Sequence, residues 1–136
     1  MDPEDASVEL DLALPSEPAS VGTARRAVEA LATEHGADPS DVGLAVSEAV
    51  ANAVIHAYPS GRAGTIRVLA HCAADGLTVQ VEDDGSGMRL NSTSRGLGVG
   101  IALISRLATD ASFSSSEEGT TVRMTFAAAS QGAAVS

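Results

Sequence analysis

Residues 47–57 constrain the fold of this chain most, because they predict a helix that has to be buried. Glu48, Asn52 and His56 recur every four residues, and a step of four residues advances only about 40° around a helix axis. The three polar side chains therefore share one stripe. The residues between them are mostly apolar, which favours burial almost all round the helix. Polar groups on such a helix need partners, because an unpaired buried polar group is costly.

The length and charge of the chain limit its function. A chain of 136 residues is long enough to bury a hydrophobic core as one domain. The formal net charge is −10, and all the basic residues are Arg. Such a chain is a poor binder of nucleic acid, because contacts to phosphates supply most of that affinity. It suits a basic protein partner better, and the lack of Lys excludes a Walker-type phosphate loop.

The cysteine and histidine content gives no sign of a disulfide or a metal site. Cys72 is the only cysteine, so we interpret it as a small core residue. His35 and His71 have no partner at metal-ligand spacing and are expected to be surface histidines. The acidic N-terminus does not resemble a signal peptide, and no apolar run approaches membrane-spanning length. We therefore expect a soluble, cytoplasmic protein with no membrane contact.

Hydrophobic periodicity and chain breakers predict eight elements. They are strands at 8–14, 65–73, 77–83, 110–115 and 120–127, and helices at 19–35, 39–57 and 101–108. Residues 1–7 are expected to be a disordered lead and residues 128–136 a flexible tail, which leaves 8–127 as a single domain. This order is typical of an α+β fold, a two-layer sandwich of helices on one face of a mixed, mostly antiparallel sheet.

Details of capping and alternation refine this prediction. Gly36 is the expected C-cap of the first helix, and Asp38 the N-cap of the second. Inward faces are expected from alternating apolar residues. These are Val8, Leu10, Leu12 and Leu14, opposite Glu9, Asp11 and Ala13; Ile66, Val68, Ala70 and Cys72; and Leu77, Val79 and Val81.

Asp83 ends a predicted strand and is followed by Gly85 and Gly87. A carboxylate at a strand end can accept the exocyclic amino hydrogens of adenine. The glycines let the backbone approach a flat ligand closely. By itself, Asp-x-Gly-x-Gly is more typical of an ordinary turn.

Gly96, Gly98 and Gly100 come directly before a predicted helix. Backbone N–H groups at a glycine-lined helix start form an anion site, although tight packing of helix on sheet would also require small residues. A Rossmann site is disfavoured, because the run lacks a βαβ frame and a following acidic residue at the required spacing. Arg89 and Arg95 are the basic residues of segment 89–95, and either could steady a triphosphate or be a solvated loop charge.

In chain order, the sequence therefore has a Glu-x-x-x-Asn helix, an Asp-x-Gly-x-Gly turn and a glycine-rich helix start. This combination resembles the GHKL (Bergerat-fold) ATPase/kinase superfamily over about residues 8–126, and it is most similar to bacterial anti-sigma-factor serine/threonine kinases. The resemblance implies ATP and Mg²⁺ as cofactors. It implies Glu48 as general base toward a protein serine, Asn52 on Mg²⁺ and Asp83 on the adenine amino group. The other implied ATP contacts are Gly85, Gly87, Arg95, Gly96, Gly98, Gly100 and Thr120, the last within a Gly-Thr element that reaches adenine.

The resemblance also implies partners. It predicts a homodimer that holds a sigma factor and phosphorylates a small anti-anti-sigma (STAS-like) protein. Arg25 and Arg26, on the exposed side of the first helix, are candidates for the sigma contact, or form an ordinary solvated helix surface. Segment 89–95 is short for an ATP lid, which leaves a catalytically silent nucleotide-binding module as the alternative. A second alternative is the ATP-binding part of a histidine kinase, which is disfavoured because the whole chain fits one ATP domain.

Overall fold

The computed structural model describes residues 7–57, 64–85, 95–116 and 119–128. The elements are β1 (Ser7–Pro15), α1 (Ala19–His35), α2 (Pro39–Asn52), a π-helical segment (Ala53–Ala57), β2 (Thr65–Ala73), β3 (Gly76–Asp83), α3 (Arg95–Leu107), β4 (Asp110–Ser116) and β5 (Gly119–Ala127). The predicted order of strands and helices is confirmed. None of the helices in the described ranges is long and apolar enough to cross a bilayer.

The five described strands form one sheet in the order β1-β2-β3-β5-β4. All four neighbouring pairs run antiparallel. The chain leaves β3, passes through α3 and β4, and returns as β5 between β3 and β4. The predicted α+β architecture is confirmed, and every described strand pairing is antiparallel.

The helices pack on one face of this sheet, with α2 in contact with both α1 and α3. The inward residues of β2 and β3 are fully or almost fully buried, as predicted, except for the half-buried Cys72. Helix α2 buries most of its surface, through Val42, Ala45, Val46, Ala49 and Val50. The opposite face of β3 carries Thr78, Gln80 and Glu82, which are half-buried. The sheet therefore has one face in the core and one polar face.

The short connection between α1 and α2 is specified by the sequence. Gly36 ends α1 with a φ of +79°, a left-handed conformation that favours glycine. The Asp38 carboxylate accepts hydrogen bonds from the N–H groups of Ser40 at 2.8 Å and Asp41 at 3.3 Å. Both predicted caps are confirmed. Because the connection is short, α2 returns antiparallel beside α1.

The predicted inward position of Val8 is wrong. Val8 pairs with His71, whereas Leu10 pairs with Ala70, so β1 contains a bulge at Glu9. An extra residue in one strand reverses the alternation of side chains on the far side of the bulge. Val8 therefore lies opposite the outward-facing His71 and is 56% exposed, while Leu10 packs against the core.

The prediction of one α-helix to residue 57 is also wrong in detail. The α-helix ends at Asn52 and continues as the π-helical segment 53–57. At the junction, the Ala53 N–H donates to the carbonyl oxygens of both Ala49 and Val50. Because a π turn is wider than an α turn, the spacing that places Glu48 and Asn52 on one stripe does not extend to His56. The side chain of His56 lies outside what the structure describes.

Candidate functional site

Asp83 is the last residue of β3 and is 9% exposed. Its Oδ1 accepts a hydrogen bond from the Gly85 N–H at 3.0 Å. The backbone N–H of Thr120, the register partner of Asp83 in β5, also donates to this carboxylate. Burial raises the pKa of Asp83, while the two N–H donors act in the opposite direction. The carboxylate is therefore held in one position and still has acceptor capacity, since an ionised carboxylate offers about four lone-pair sites.

The start of β5 is built closely around Asp83. Gly119 has a φ of +141°, and a Cβ atom at this position would overlap the carbonyl oxygen of Asp83. Only glycine fits there, and its fit allows Thr120 to pair with Asp83. Thr120 is 3% exposed, and its hydroxyl lies 3.3 Å from that of Ser115 in β4. Sequence reasoning missed Ser115, because one serine in a serine-rich strand gives no signal.

Asn52 ends α2 and is 9% exposed. Within the described parts of the chain, no hydrogen bond engages its side-chain amide. Among the described residues, the buried side-chain N and O atoms without a partner include only Ser47 Oγ, so the Asn52 amide is not an orphaned buried group, and solvent or a ligand can reach it. The π-helical segment that follows Asn52 contacts β3 and β5, the strands that carry Asp83 and Thr120. The amide oxygen fits Mg²⁺, which prefers oxygen ligands.

Other predicted site residues lie in helices α2 and α3. Glu48 is half-buried in α2, one turn before Asn52. Helix α3 begins at Arg95, so Gly96 and Gly98 lie in its first turn, where N–H groups have no intrahelical acceptor. Such a turn fits the phosphates of a nucleotide. Gly100 follows in the second turn, and Gly87, Arg89 and the side chain of Arg95 lie outside what the structure describes.

The structure thus brings Asp83, Gly85 and Thr120 together directly. Arg25 and Arg26 are exposed on α1 and belong to a different surface. Arg25 lies 3.7 Å from Glu29 in an ion pair, with the Arg25 side chain 54% and the Glu29 side chain 39% exposed.

A second cluster lies at the other end of the sheet. The ligand atoms of Glu9, His35 and Cys72 all lie within 4.8 Å of one another. Sequence spacing gave His35 no partner, but the fold brings Glu9 and Cys72 near it, because the bulge in β1 changes the direction of Glu9. Burial and the nearby charges of Glu9 and Glu34 raise the pKa of Cys72 to about 11. The thiol is protonated at neutral pH in the protein without metal, so it is a weak nucleophile.

Known proteins resemble this chain in sequence. The serine-protein kinase RsbW of Bacillus licheniformis is 33% identical over 92 residues, which cover 65% of this chain and 58% of that protein. RsbW of Listeria innocua is 33% identical over 92 residues, covering 65% of this chain and 59% of its own. RsbW of Bacillus subtilis is 30% identical over 92 residues, covering 65% and 58%. The chain therefore spans less than two thirds of the length of these relatives.

Solved structures share the fold. The RsbU and RsbW domains of Rv1364c from Mycobacterium tuberculosis align with a TM-score of 0.66 and 27% identity, over 87% of this chain and 33% of that one. A histidine kinase domain from Erythrobacter litoralis aligns with a TM-score of 0.58 and 23% identity, over 87% and 63%, a likeness that shows the fold alone. The family profile of the histidine kinase-like ATPase domain matches residues 14–126. Since this match spans most of the sequence, the chain belongs to the histidine kinase-like ATPase domain family, and serine-protein kinases named RsbW are among its relatives.

Proposed function

We propose that this protein is an ATP-binding anti-sigma factor and protein serine kinase. It would hold a sigma factor and phosphorylate a small anti-anti-sigma (STAS-like) protein, acting in the cytoplasm as a homodimer. The observation that carries the ATP-binding part is the buried Asp83 carboxylate, held by the N–H groups of Gly85 and Thr120. The choice of serine kinase is supported by relatives that are named serine-protein kinases.

Adenine recognition would follow from the remaining acceptor capacity of Asp83. The exocyclic amino group of adenine donates a hydrogen bond to the carboxylate, and a charge-assisted bond of this kind is stronger than a neutral one. Guanine carries a carbonyl oxygen at the corresponding position, and the carboxylate repels it. The Thr120 hydroxyl would contact adenine directly or through water, since Thr120 is the register partner of Asp83. The protein should therefore prefer ATP to GTP.

The phosphates would lie between the end of α2 and the start of α3. The amide oxygen of Asn52 is a suitable Mg²⁺ ligand, and bound Mg²⁺ neutralises phosphate charge during transfer. The N–H groups of Gly96 and Gly98 point out of the first turn of α3, where the helix dipole also favours an anion. Arg95 is proposed to add a positive charge at the same place.

Glu48 is proposed as the general base. It lies one turn before Asn52, about 6 Å along the helix axis and on the same stripe. Glu48 would take the proton of the attacking serine hydroxyl as that oxygen bonds to the γ-phosphorus of ATP and ADP leaves. This role needs a carboxylate within hydrogen-bond reach of the hydroxyl. Glu48 is only half-buried, so a serine hydroxyl can approach its carboxylate.

The sigma contact is proposed to include Arg25 and Arg26. The ion pair of Arg25 with Glu29 is exposed, and such pairs contribute little to stability. The guanidinium is therefore available to an acidic group of a partner. Arg26 borders an open groove of about 440 Å³ between α1 and the start of α2, which is lined also by Glu29, Ala30, Thr33, Pro39 and Ser40.

The experiment that tests this function is incubation of the protein with γ-labelled ATP, Mg²⁺ and each STAS-like protein of the same genome. Label on a serine of one of these proteins is the expected result. ATP binding without label would instead favour the silent nucleotide-binding module. Label on histidine would favour a histidine kinase. Asp83→Asn should abolish the label under limiting ATP, and Asp84→Asn is the matched control, because Asp84 is the exposed neighbouring carboxylate.

A further inference from the structure

We propose that Glu9, His35 and Cys72 form a binding site for Zn²⁺ that is separate from the nucleotide site. The three residues come from three elements, since Glu9 lies in β1, His35 ends α1, and Cys72 lies in β2. Their carboxylate oxygen, imidazole nitrogen and thiol sulfur all lie within 4.8 Å of one another. Residues distant in sequence are thus brought to one point by the fold.

The bulge in β1 explains why Glu9 belongs to this cluster. In a regular strand, Glu9 would point away from Leu10, toward the polar face of the sheet. The register shift between Val8 and Leu10 leaves Glu9 as the extra residue, and a bulge re-aims the side chain that it carries. The carboxylate consequently lies beside Cys72, which shares the inward face of β2 with Ala70.

The ligand atoms of the cluster are available to a metal ion. In the described parts of the chain, no hydrogen bond or ion pair engages the side chain of Glu9, His35 or Cys72. His35 and Cys72 are half-buried, and Glu9 is exposed, so an ion can reach them from solvent. The charge of Glu34 also acts on Cys72, and this adds to the attraction for a cation.

The donor set selects the class of metal. One sulfur, one imidazole nitrogen and one carboxylate oxygen suit Zn²⁺, which accepts three protein ligands with a fourth position for water or another group. Mg²⁺ takes oxygen ligands and is disfavoured here. Zn²⁺ at about 2.0–2.3 Å from each donor sets ligand atoms about 3.3–3.7 Å apart. The side chains therefore have to approach one another by only about 1 Å, which rotation at the exposed Glu9 and at His35 can supply.

The cluster is far from the proposed nucleotide site, so the inference does not rest on the proposed function. Along β2, Ile66 pairs with Asp83, whereas Cys72 pairs with Leu77 at the other end of β3. Six residues of strand separate the two positions, or about 20 Å. The bound ion would join the edge strand β1 to α1 and β2, and it would stabilise the folded state because the unfolded chain lacks the site.

The first test is titration of the reduced, metal-free wild-type protein with Co²⁺, a spectroscopic substitute for Zn²⁺. Metal binding would release the Cys72 thiol proton to solvent, so we expect one ion per chain, a thiolate-to-cobalt charge-transfer band and its loss when Zn²⁺ is added. Excess Mg²⁺ should leave the band unchanged. Zn²⁺ should also raise the thermal unfolding temperature. Absence of the charge-transfer band in the wild-type protein would overturn the proposal, whatever happens in the variants.

Substitutions then assign the ligands. Cys72→Ser should abolish the charge-transfer band. His35→Gln and Glu9→Gln should each weaken Zn²⁺ binding by more than about tenfold, the least that even an outer-shell change typically costs. His71→Gln is the matched control, because His71 adjoins Cys72 but faces the other side of β2 and should bind as the wild type does. An equal loss in His71→Gln would contradict the assignment. Circular dichroism of each variant separates lost binding from lost folding.

Discussion

The two ends of the sheet hold their carboxylates in different ways. At one end, Asp83 is buried, accepts two backbone N–H groups and lies in regular register between β2 and β5. At the other end, Glu9 is exposed, lies in a bulge and has no hydrogen-bond partner among the described residues. The first carboxylate is preorganised by the backbone, whereas the second would become ordered only when a ligand binds.

This difference has a consequence for affinity and stability. A preorganised group has little conformational freedom left to lose when it binds a ligand. It is also buried, and burial of a charge costs stability in the protein without ligand. We therefore expect changes around Asp83 to alter nucleotide binding and folding together, and changes at Glu9 to alter metal binding with little effect on the folding of the apo protein.

The largest effect is expected at Glu48. We propose that this residue acts as the general base and does not contribute to ATP binding. Glu48→Gln should lower phosphate transfer by about 10²–10⁴-fold, the usual contribution of general acid–base catalysis. ATP affinity measured by calorimetry should stay near that of the wild type. Glu17→Gln, at an exposed position, is the control. Transfer at the wild-type rate in Glu48→Gln would show that Glu48 is not the base.

The next largest effect is expected at Gly119. Gly119→Ala places a Cβ atom against the Asp83 carbonyl at a φ that side chains rarely adopt. Strain of this kind costs about 1–3 kcal/mol, so the free energy of unfolding measured in urea should fall by at least that amount, and ATP affinity should fall with it. Gly22→Ala is a milder control, because its Cβ would meet only the flexible end of Arg26. Equal stability of Gly119→Ala and the wild type would contradict the close fit at Asp83.

A smaller effect is expected from pH. Burial raises the pKa of Asp83, so the folded protein binds this proton more tightly than the unfolded chain does. The stability that protonation contributes is present at low pH and is lost as the pH rises through the raised pKa. Asp83→Asn should therefore be stabilised relative to the wild type more at pH 7 than at pH 4, as measured by urea denaturation at each pH. A constant difference between the two proteins would contradict this account.

The smallest effect is expected on α1. Arg25→Glu should weaken sigma binding several-fold and leave ATP affinity unchanged, because the proposed contact lies on a separate surface. Arg123→Glu, also exposed but on β5, is the control for added negative charge. Binding of sigma can be measured by calorimetry with the purified factor. A joint loss of sigma and ATP binding in Arg25→Glu would assign the residue a structural role.

The features around Asp83 could be predicted from the sequence because they are local. Asp83 and Gly85 lie two residues apart, and the inward residues of β3 alternate without interruption. Elsewhere in the fold, Asp38 caps its own helix. Alternation of apolar and polar residues predicts a strand, but it does not reveal an inserted residue. The bulge at Glu9 therefore left no sign in the sequence. The contact of Glu9 with His35 and Cys72 was therefore not predicted.

The π-helical segment 53–57 escaped prediction for another reason. Over five residues, helical periodicity fits an α turn and a π turn almost equally. In addition, the segment contacts β3 and β5, which are remote in sequence. Tertiary packing overrides local preference in such cases. The hydroxyl pair of Ser115 and Thr120 likewise depends on the pairing of β4 with β5, which neither strand specifies alone.

Calorimetric titration with ATP and Mg²⁺ tests most directly whether Asp83, at the preorganised end of the sheet, recognises adenine. Asp83→Asn keeps the size of the side chain but replaces a charged acceptor by a mixed donor and acceptor, which should weaken ATP binding by about 1.5–3 kcal/mol. Asp84→Asn should bind ATP as the wild type does. Unchanged affinity in Asp83→Asn, or an equal loss in both variants, would contradict adenine recognition by Asp83.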